Sequence, residues 1–457
     1  MSVRVRTGRA CAVALTVFAV LGGVAACGSG SDESADAAGP VTITVNGLPP
    51  ATDTVNRKNY MDDVAAFTKK YPNIKLNPKE GFMDPATFAA RLAGGQLEDV
   101  FYVYMTDPAS LIAKHQVSEI TPYLNNVVPA AKEIKPSLMK VFSDGSGKVY
   151  GLPFANYSLG LIYNRDLFTQ AGLDPNAPPT SWAEVRTDAK KIAALGNGIA
   201  GYGDYSKSNT GGWHFTAELN SLGGQVATKQ DSTWKASFDT DKGKQVLQQL
   251  HDMRFVDNSM GVKQKLEYAD LLKQMVAGKL GMYVGSADNI PTIVNQYGGK
   301  YQNLGLGGIP DGAGTLGGGD GYMFKAGLSA AKIKAGLQWL QFRNAGADPD
   351  RIDADKAKAA AGKQPVGMPE PNIWTGAAEQ KLKAANTKYA NVPQQNFAPF
   401  DARTASIPLL LEPPNAQQIY AVLDTAMATV LTDPNADINA LLASATTQVN
   451  SILATAK

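Results

Sequence analysis

The sequence predicts an α/β protein of two lobes, and three observations predict it. A chain of 457 residues exceeds the roughly 250 to 300 at which one hydrophobic core stops growing. Period-two and helix-period apolar segments alternate along its N-terminal part, the rhythm of a parallel sheet with crossover helices. The stretch 148–168, KVYGLPFANYSLGLIYNRDLF, carries alternating apolar residues on both sides of Pro153. Proline lacks the ladder donor, so this stretch reads as two strands and as a crossing between lobes; an ordinary hairpin inside one domain is the alternative.

Before the first lobe comes a leader. Arg4, Arg6 and Arg9 precede an apolar run over 10–24 that ends in small residues before Cys27. The run falls short of the roughly 20 residues that span a bilayer, so 1–26 reads as a secretory signal. Val24-Ala25-Ala26-Cys27 resembles the bacterial lipobox, in which cleavage exposes a cysteine that takes a lipid; a plain secreted protein is the alternative. Cys11 leaves with the signal, so no intrachain disulfide is expected. Losing 1–26 takes three arginines from 43 basic residues and none from 41 acidic ones, turning a formal charge of +2 into −1. That balance does not favour nucleic acid, and no later apolar run is long enough to span a membrane. Residues 27–40 are mostly Gly, Ser, Asp, Glu and Ala, a flexible tether between lipid and domain.

The elements follow in order. VTITV at 41–45 alternates as a first strand; Tyr60, Val64 and Phe67 recur at helical spacing until Tyr71-Pro72 stops the helix. Ile74 and Leu76 mark a second strand, 85–93 a helix ended by Gly94-Gly95, and VFYVY after Asp99 a buried strand. Ser181 and Glu184 fit a capping box, opening a helix to Leu195. Residues 196–203 read as a break, 213–222 as a helix, 230–240 as a polar interval, 244–254 as a helix and 280–284 as a strand. Glycines dominate 298–321, read as turns and connections. A helix covers 330–342, and 348–371 is helical or irregular. Ile419, Val422, Leu423, Ala426, Met427 and Val430 line one late helix, and Ile438, Leu441, Leu442, Ala445, Val449, Ile452 and Leu453 another. These stripes are core packing.

Several catalytic motifs fail on context. GAGTLG at 312–317 matches G-x-G-x-x-G, but no strand precedes it and no helix follows to meet a pyrophosphate. S-x-x-K occurs at Ser137, Ser232 and Ser329 without an accompanying K-T-G. His115, His214 and His251 lack metal spacing. A carboxylate pair for glycoside hydrolysis is set in space rather than in sequence, so an anchored hydrolase stays open.

Taken together, the lipobox, Asp99-Val100 after Gly94-Gly95, KVYGLPF followed by LIYNRDLF, AGLDPNAPPTSWAEV, AGKLGMYV and the late Gly-Gly run resemble the extracellular solute-binding proteins of ABC importers, family 1, the carbohydrate-type branch. The likeness covers nearly all of the chain beyond the signal. It implies a periplasmic-binding-protein-like α/β fold of two lobes joined by three hinge crossings, here near 152–156, 284–288 and 315–322. Lobe 1 would then be 41–153 and 288–316, and lobe 2 would be 154–287 and 317–457.

A sugar needs flat aromatic faces and hydrogen-bonding edges on both lobes. The resemblance puts Tyr104 and Asp107 at the cleft of the first lobe, although Asp107 also suits a helix cap before Pro108. It puts Asn156 and Tyr157 just after the first crossing and Trp213 as a stacking ring on the second lobe. Asp320 reads as a hydroxyl ligand at the third crossing or as a turn residue; Trp374 and Arg403 are weaker candidates. Where the family often has a Trp after the AGKLGMYV segment, this chain has Gly285-Ser286-Ala287-Asp288, which opens the cleft to a polyol or an amine-bearing ligand. The implied function is a lipid-anchored, monomeric binding protein on the extracytoplasmic face of a bacterial membrane. It would deliver a small carbohydrate to ABC permease subunits, without catalysis, cofactor or metal; a sensor or adhesin on the same fold is the further rival.

Overall fold

The structure, a computed structural model, describes residues 39–454 apart from 52–53, 84, 205, 208, 232, 344–350, 363, 370–371 and 405. The signal sequence, Cys27 and all but the end of the tether lie outside the described residues. Eleven strands follow in chain order: β1 (Val41–Leu48), β2 (Ile74–Glu80), β3 (Val100–Tyr104), β4 (Gly151–Asn164), β5 (Ala200–Tyr202), β6 (Ala227–Gln230), β7 (Thr233–Ala236), β8 (Leu280–Ser286), β9 (Leu304–Gly308), β10 (Thr315–Phe324) and β11 (Leu409–Leu411). Their main path runs β2-β1-β3-β10-β4-β8-β5, with β11 on β10 and β9 on β4, while β6 and β7 form a separate hairpin.

β4 is the strand that both halves share. From Gly151 to Ser158 it pairs antiparallel with β10; from Leu159 to Asn164 it pairs with β8 and β9. Pro153 therefore does not divide the stretch into two strands, as the missing donor predicts. The ladder slips between Asp320 and Gly321, so that Asp320 faces Ala155 and Gly321 faces Pro153. Phe154 bulges between them, and the absent N–H falls at an irregularity that a proline tolerates.

Each half has its own core. In the first, β1, β2 and β3 are covered by the helices Thr54–Lys70 and Ala330–Arg343, where Phe67 meets Trp339 edge-on at 5.3 Å. In the second, Trp182, Phe215, Leu423 and Met427 are buried together with Leu161 and Tyr163 of β4. Trp182 opens the helix Trp182–Ala193, whose first turn closes with the expected Ser181 and Glu184 capping box.

Further expectations change, and the expected break at 196–203 and polar interval at 230–240 hold the short strands β5 and β7. The chain does not cross at 284–288: β8 runs into the helix Asn289–Tyr297 and then β9, and Ile290, Ile293, Leu304 and Leu306 share a core with Ile162 of β4. Residues 317–457 are not one lobe either. Tyr322, Phe324, Trp339 and Trp374 sit in the first core, whereas Phe397 and Phe400 join β9 and Ile419 joins the second core. The packing supports a division into 41–155 with 318–343 and 372–388, and 156–317 with 389–404 and 406–454, with Met368 reaching across into the core of β9. Finally, the glycine run holds two strands, because its glycines admit close neighbours rather than turns. A Cβ at Gly305 would lie 2.2 Å from the Tyr163 ring, and one at Gly317 would lie 2.0 Å from Leu409.

The same closeness joins β4 to β9. A Cβ at Gly160 would stand 2.3 Å from the Gly307 carbonyl oxygen and 2.7 Å from the Phe400 ring. Gly160→Val should therefore cost about 1 to 3 kcal/mol, read as a lower melting temperature by calorimetry. An unchanged transition would show that this contact does not constrain the second half.

Candidate ligand-binding site

Two cavities open between the halves. The larger, about 740 Å³, lies between Met105, Thr106 and Ser110, which follow β3, and Asn220, Val226 and Glu412 of the second half. The smaller, about 470 Å³, has Asn156, Tyr157 and Ser158 of β4 on one wall, Asp288 and Pro291 on another, and Met368 and Trp374 on a third. Both are of the size that takes a small ligand.

The first half contributes an aromatic and acidic face. Tyr104 ends β3 opposite Asp320 in the ladder, its ring edge-on to Tyr102 at 5.5 Å. The Tyr102 hydroxyl donates to Asp320 Oδ2 at 2.8 Å, while Oδ1 is buried with no hydrogen-bond partner among the described residues. Burial pushes the Asp320 carboxyl up to about 6, against the lowering hydrogen bond from Tyr102. Asp107 takes the position before the helix Pro108–Ala113 but makes no side-chain cap bond. Burial pushes its carboxyl up to about 6 as well, so it is not serving as the cap that its place before Pro108 allows.

The second half supplies rings and a carboxylate that the sequence reading missed. Trp213, in the first turn of the helix Thr210–Ser221, lies 6.5 Å from the Tyr157 ring. The Tyr157 hydroxyl is driven far above the usual phenol range, by burial first and then by the fields of Glu412, Asp288 and Asp320. Glu412 lines the larger cavity and accepts from the buried Tyr420 hydroxyl at 3.0 Å. Burial pushes Glu412 up to about 7, with Asp107 adding to the rise. The available signal was a lone acid between LLL and Pro413-Pro414.

Of the expected residues, Tyr104, Asp107, Trp213 and Asp320 line neither cavity. The walls of the larger one carry Thr106, next to Asp107 in the chain, and Asn220, 3% exposed. Asn156, Tyr157 and Asp288 line the smaller; Asn156 Oδ1 is buried without a partner among the described residues, and Asp288 is exposed and accepts from Ser286 Oγ. Trp374 belongs to the first core and reaches the smaller cavity. Arg403 lines neither, donating instead to the Thr180 carbonyl at 3.3 Å. Among the described residues no three His, Cys, Asp or Glu side chains gather as a metal-binding group. The arrangement offers rings and hydrogen-bond acceptors from both sides of a gap.

Two α/β halves on a shared strand pair, with ligand-sized cavities between them, are the architecture of a solute-binding protein. The family described as bacterial extracellular solute-binding protein matches residues 51–342, and the chain belongs to it. A putative binding protein of Brucella abortus (strain 2308) is 26% identical over 289 residues, 61% of this chain and 65% of that protein. The chain thus matches less than two thirds of that relative's length. UgpB from Mycobacterium tuberculosis, solved in complex with glycerophosphocholine, aligns with a TM-score of 0.70 at 16% identity, covering 91% of this chain and 98% of that one. An ABC transporter solute-binding protein from Thermotoga lettingae, bound with α-D-tagatose, aligns with a TM-score of 0.66 at 19% identity, covering 90% and 99%. At such identities the likeness shows the fold.

The raised acids set a pH dependence. Glu412, Asp107 and Asp320 hold protons in the fold at pH values where the unfolded chain has released them, so stability falls as pH rises from about 4 to about 7. Glu412→Gln should remove part of that slope and melt higher than the parent at pH 8, by about 1 kcal/mol or more, while matching it near pH 4. Parallel melting curves of the two proteins across this range would show that Glu412 titrates normally.

Proposed function

We propose that the protein is a lipid-anchored substrate-binding protein of an ABC importer, which encloses a small carbohydrate between its lobes and hands it to a membrane permease. The observation that carries this reading is the pair of cavities between the halves, the larger walled by residues of both and the smaller by Tyr157, whose ring lies 6.5 Å from that of Trp213. Rings meet the C–H faces of a sugar, and Asn, Asp and Glu oxygens meet its hydroxyls. The relatives solved with α-D-tagatose and with glycerophosphocholine support a polyhydroxylated ligand. Capture and release need no bond making; closure must be reversible for the ligand to leave.

The pattern ending at Cys27 supports a diacyl anchor on the extracytoplasmic face, where two chains hold stably and one does not. No helix among the described residues is long and apolar enough to cross a membrane. The protein acts as a monomer in this reading.

Thermal shift of the full chain in mild detergent, against sugars, polyols, amino acids and peptides, tests the assignment. A ligand at a hundredfold excess over Kd adds about 2.7 kcal/mol, and an unmodified sugar is expected to do so. Trp213→Ala should weaken that ligand at least tenfold, about 1.4 kcal/mol, without lowering the unliganded melting temperature. Consumption of the sugar during the assay would replace the binding protein with a hydrolase. In cells, Cys27→Ser should release the protein from the membrane fraction, and retention would end the anchor reading.

A further inference from the structure

A sugar site needs a flat apolar face, because hydroxyl-bonding walls alone leave the C–H side of the ring unmatched. Tyr104 and Trp213 line neither cavity, and Tyr157 lines the smaller one. Among the described residues lining the larger cavity, Trp234 alone carries an aromatic ring. It sits in the stretch 230–240, which reads as a polar interval in the sequence.

The hairpin of β6 and β7 delivers that ring. Ala227 pairs with Ala236 and Lys229 with Trp234, which sets Ala227 and Trp234 on one face, and both line the cavity. Along β7, Thr233 and Lys235 are exposed, whereas Trp234 and Ala236 are half-buried. Two bonds fix the hairpin: Ala236 N–H donates to Asn450 Oδ1 at 3.0 Å, and Ser237 N–H donates to the Val226 carbonyl at 2.9 Å. Trp234 also packs against the second core. A ring backed in this way is held before a ligand arrives, so binding costs it little rotamer freedom.

The remaining walls leave space and supply hydrogen bonds. On the first half, the helix Pro108–Ala113 buries Pro108, Leu111 and Ile112 and turns the short side chains of Ala109, Ser110 and Ala113 to the cavity. Thr106, Thr216, Asn220, Gln225 and Gln418 add neutral donors and acceptors. A hexose displaces roughly 180 Å³, about six waters at roughly 30 Å³ each, so a cavity of about 740 Å³ has room for at least two rings.

We infer that Trp234 is the stacking platform of the larger cavity and selects for ligand length, holding one ring of an oligosaccharide while the neutral polar walls hold the next. This role rests on the binding-protein reading and adds to it a residue that favours two linked rings over one. A single ring either stacks on Trp234 or meets the walls beyond it. Two linked rings do both for one loss of rigid-body freedom.

The test is calorimetric titration of the full chain in mild detergent with D-glucose and D-galactose against maltose, cellobiose, lactose and trehalose. At least one disaccharide is expected to bind about tenfold or more tighter than the monosaccharides that compose it. Trp234→Ala should erase that preference while keeping a cooperative melting transition, and Trp234→Phe should restore part of it. Saturating disaccharide should change the tryptophan emission of the parent, and the change should shrink in Trp234→Phe. A disaccharide that binds Trp234→Ala as tightly as the parent, or a monosaccharide that binds the parent as tightly as every disaccharide, overturns the inference and leaves the carbohydrate importer standing. Silence from the disaccharides while a monosaccharide binds does the same; silence from every sugar overturns both.

Discussion

The antiparallel pairing of β4 with β10 is the constraint on which the rest of the molecule depends. One end of β4 is laddered to β10, which itself borders β3 and so the first core; the other end is laddered to β8 and β9, which border the second. Every rigid element of either half is therefore referred to one strand, and the gap between halves opens along it. A ladder resists stretching but bends where its register is irregular. That irregularity lies between Asp320 and Gly321, opposite Pro153, where a proline removes one rung and Gly319 and Gly321 let the neighbouring backbone come close.

The same strands place the acids. Asp320 is a ladder residue, and the Tyr102 hydroxyl holds it from the neighbouring strand; Asp107 and Glu412 follow strands that end at the gap. Three carboxyls pushed up to about 6 or 7 by burial are a standing cost to the unliganded fold. Local rules of good packing are broken where a site needs them broken.

Much of the architecture was legible in the sequence for a simple reason: its signals are local. Alternation marked β1, a continuous apolar run marked β3, spacing marked the long helices, and Ser181 with Glu184 marked a cap. What was not legible depended on contacts between distant segments. Glycine was read as punctuation, whereas in β9 and β10 it makes room for Tyr163 and Leu409, residues that no window of sequence places beside it. The turn after β8 looked like a crossing because the family's chain leaves a strand there; Ile290 and Leu304 instead return to the core of Ile162. In the site, the aromatic positions Tyr157 and Trp213 came from resemblance and do lie side by side. Glu412 has no motif at all, and its place in the wall of the larger cavity follows only from the fold.

Rings and acids facing one another also bear on how such a cleft stays open. Walls carrying Met105 and Ala109 against Val226, Trp234 and Leu410 bury apolar area when they meet, and that term by itself favours closing on nothing. A binding protein that closes empty presents a false signal to its permease and loses affinity by the fraction of molecules already shut. The Glu412 carboxyl in the wall of the larger cavity supplies an opposing term, since closing strips the water it can meet. A ligand that hydrogen-bonds to it converts the same group from a brake into a clasp. The balance then turns on the ligand's differential interaction with the open and closed states, which is the only quantity through which binding can drive a hinge.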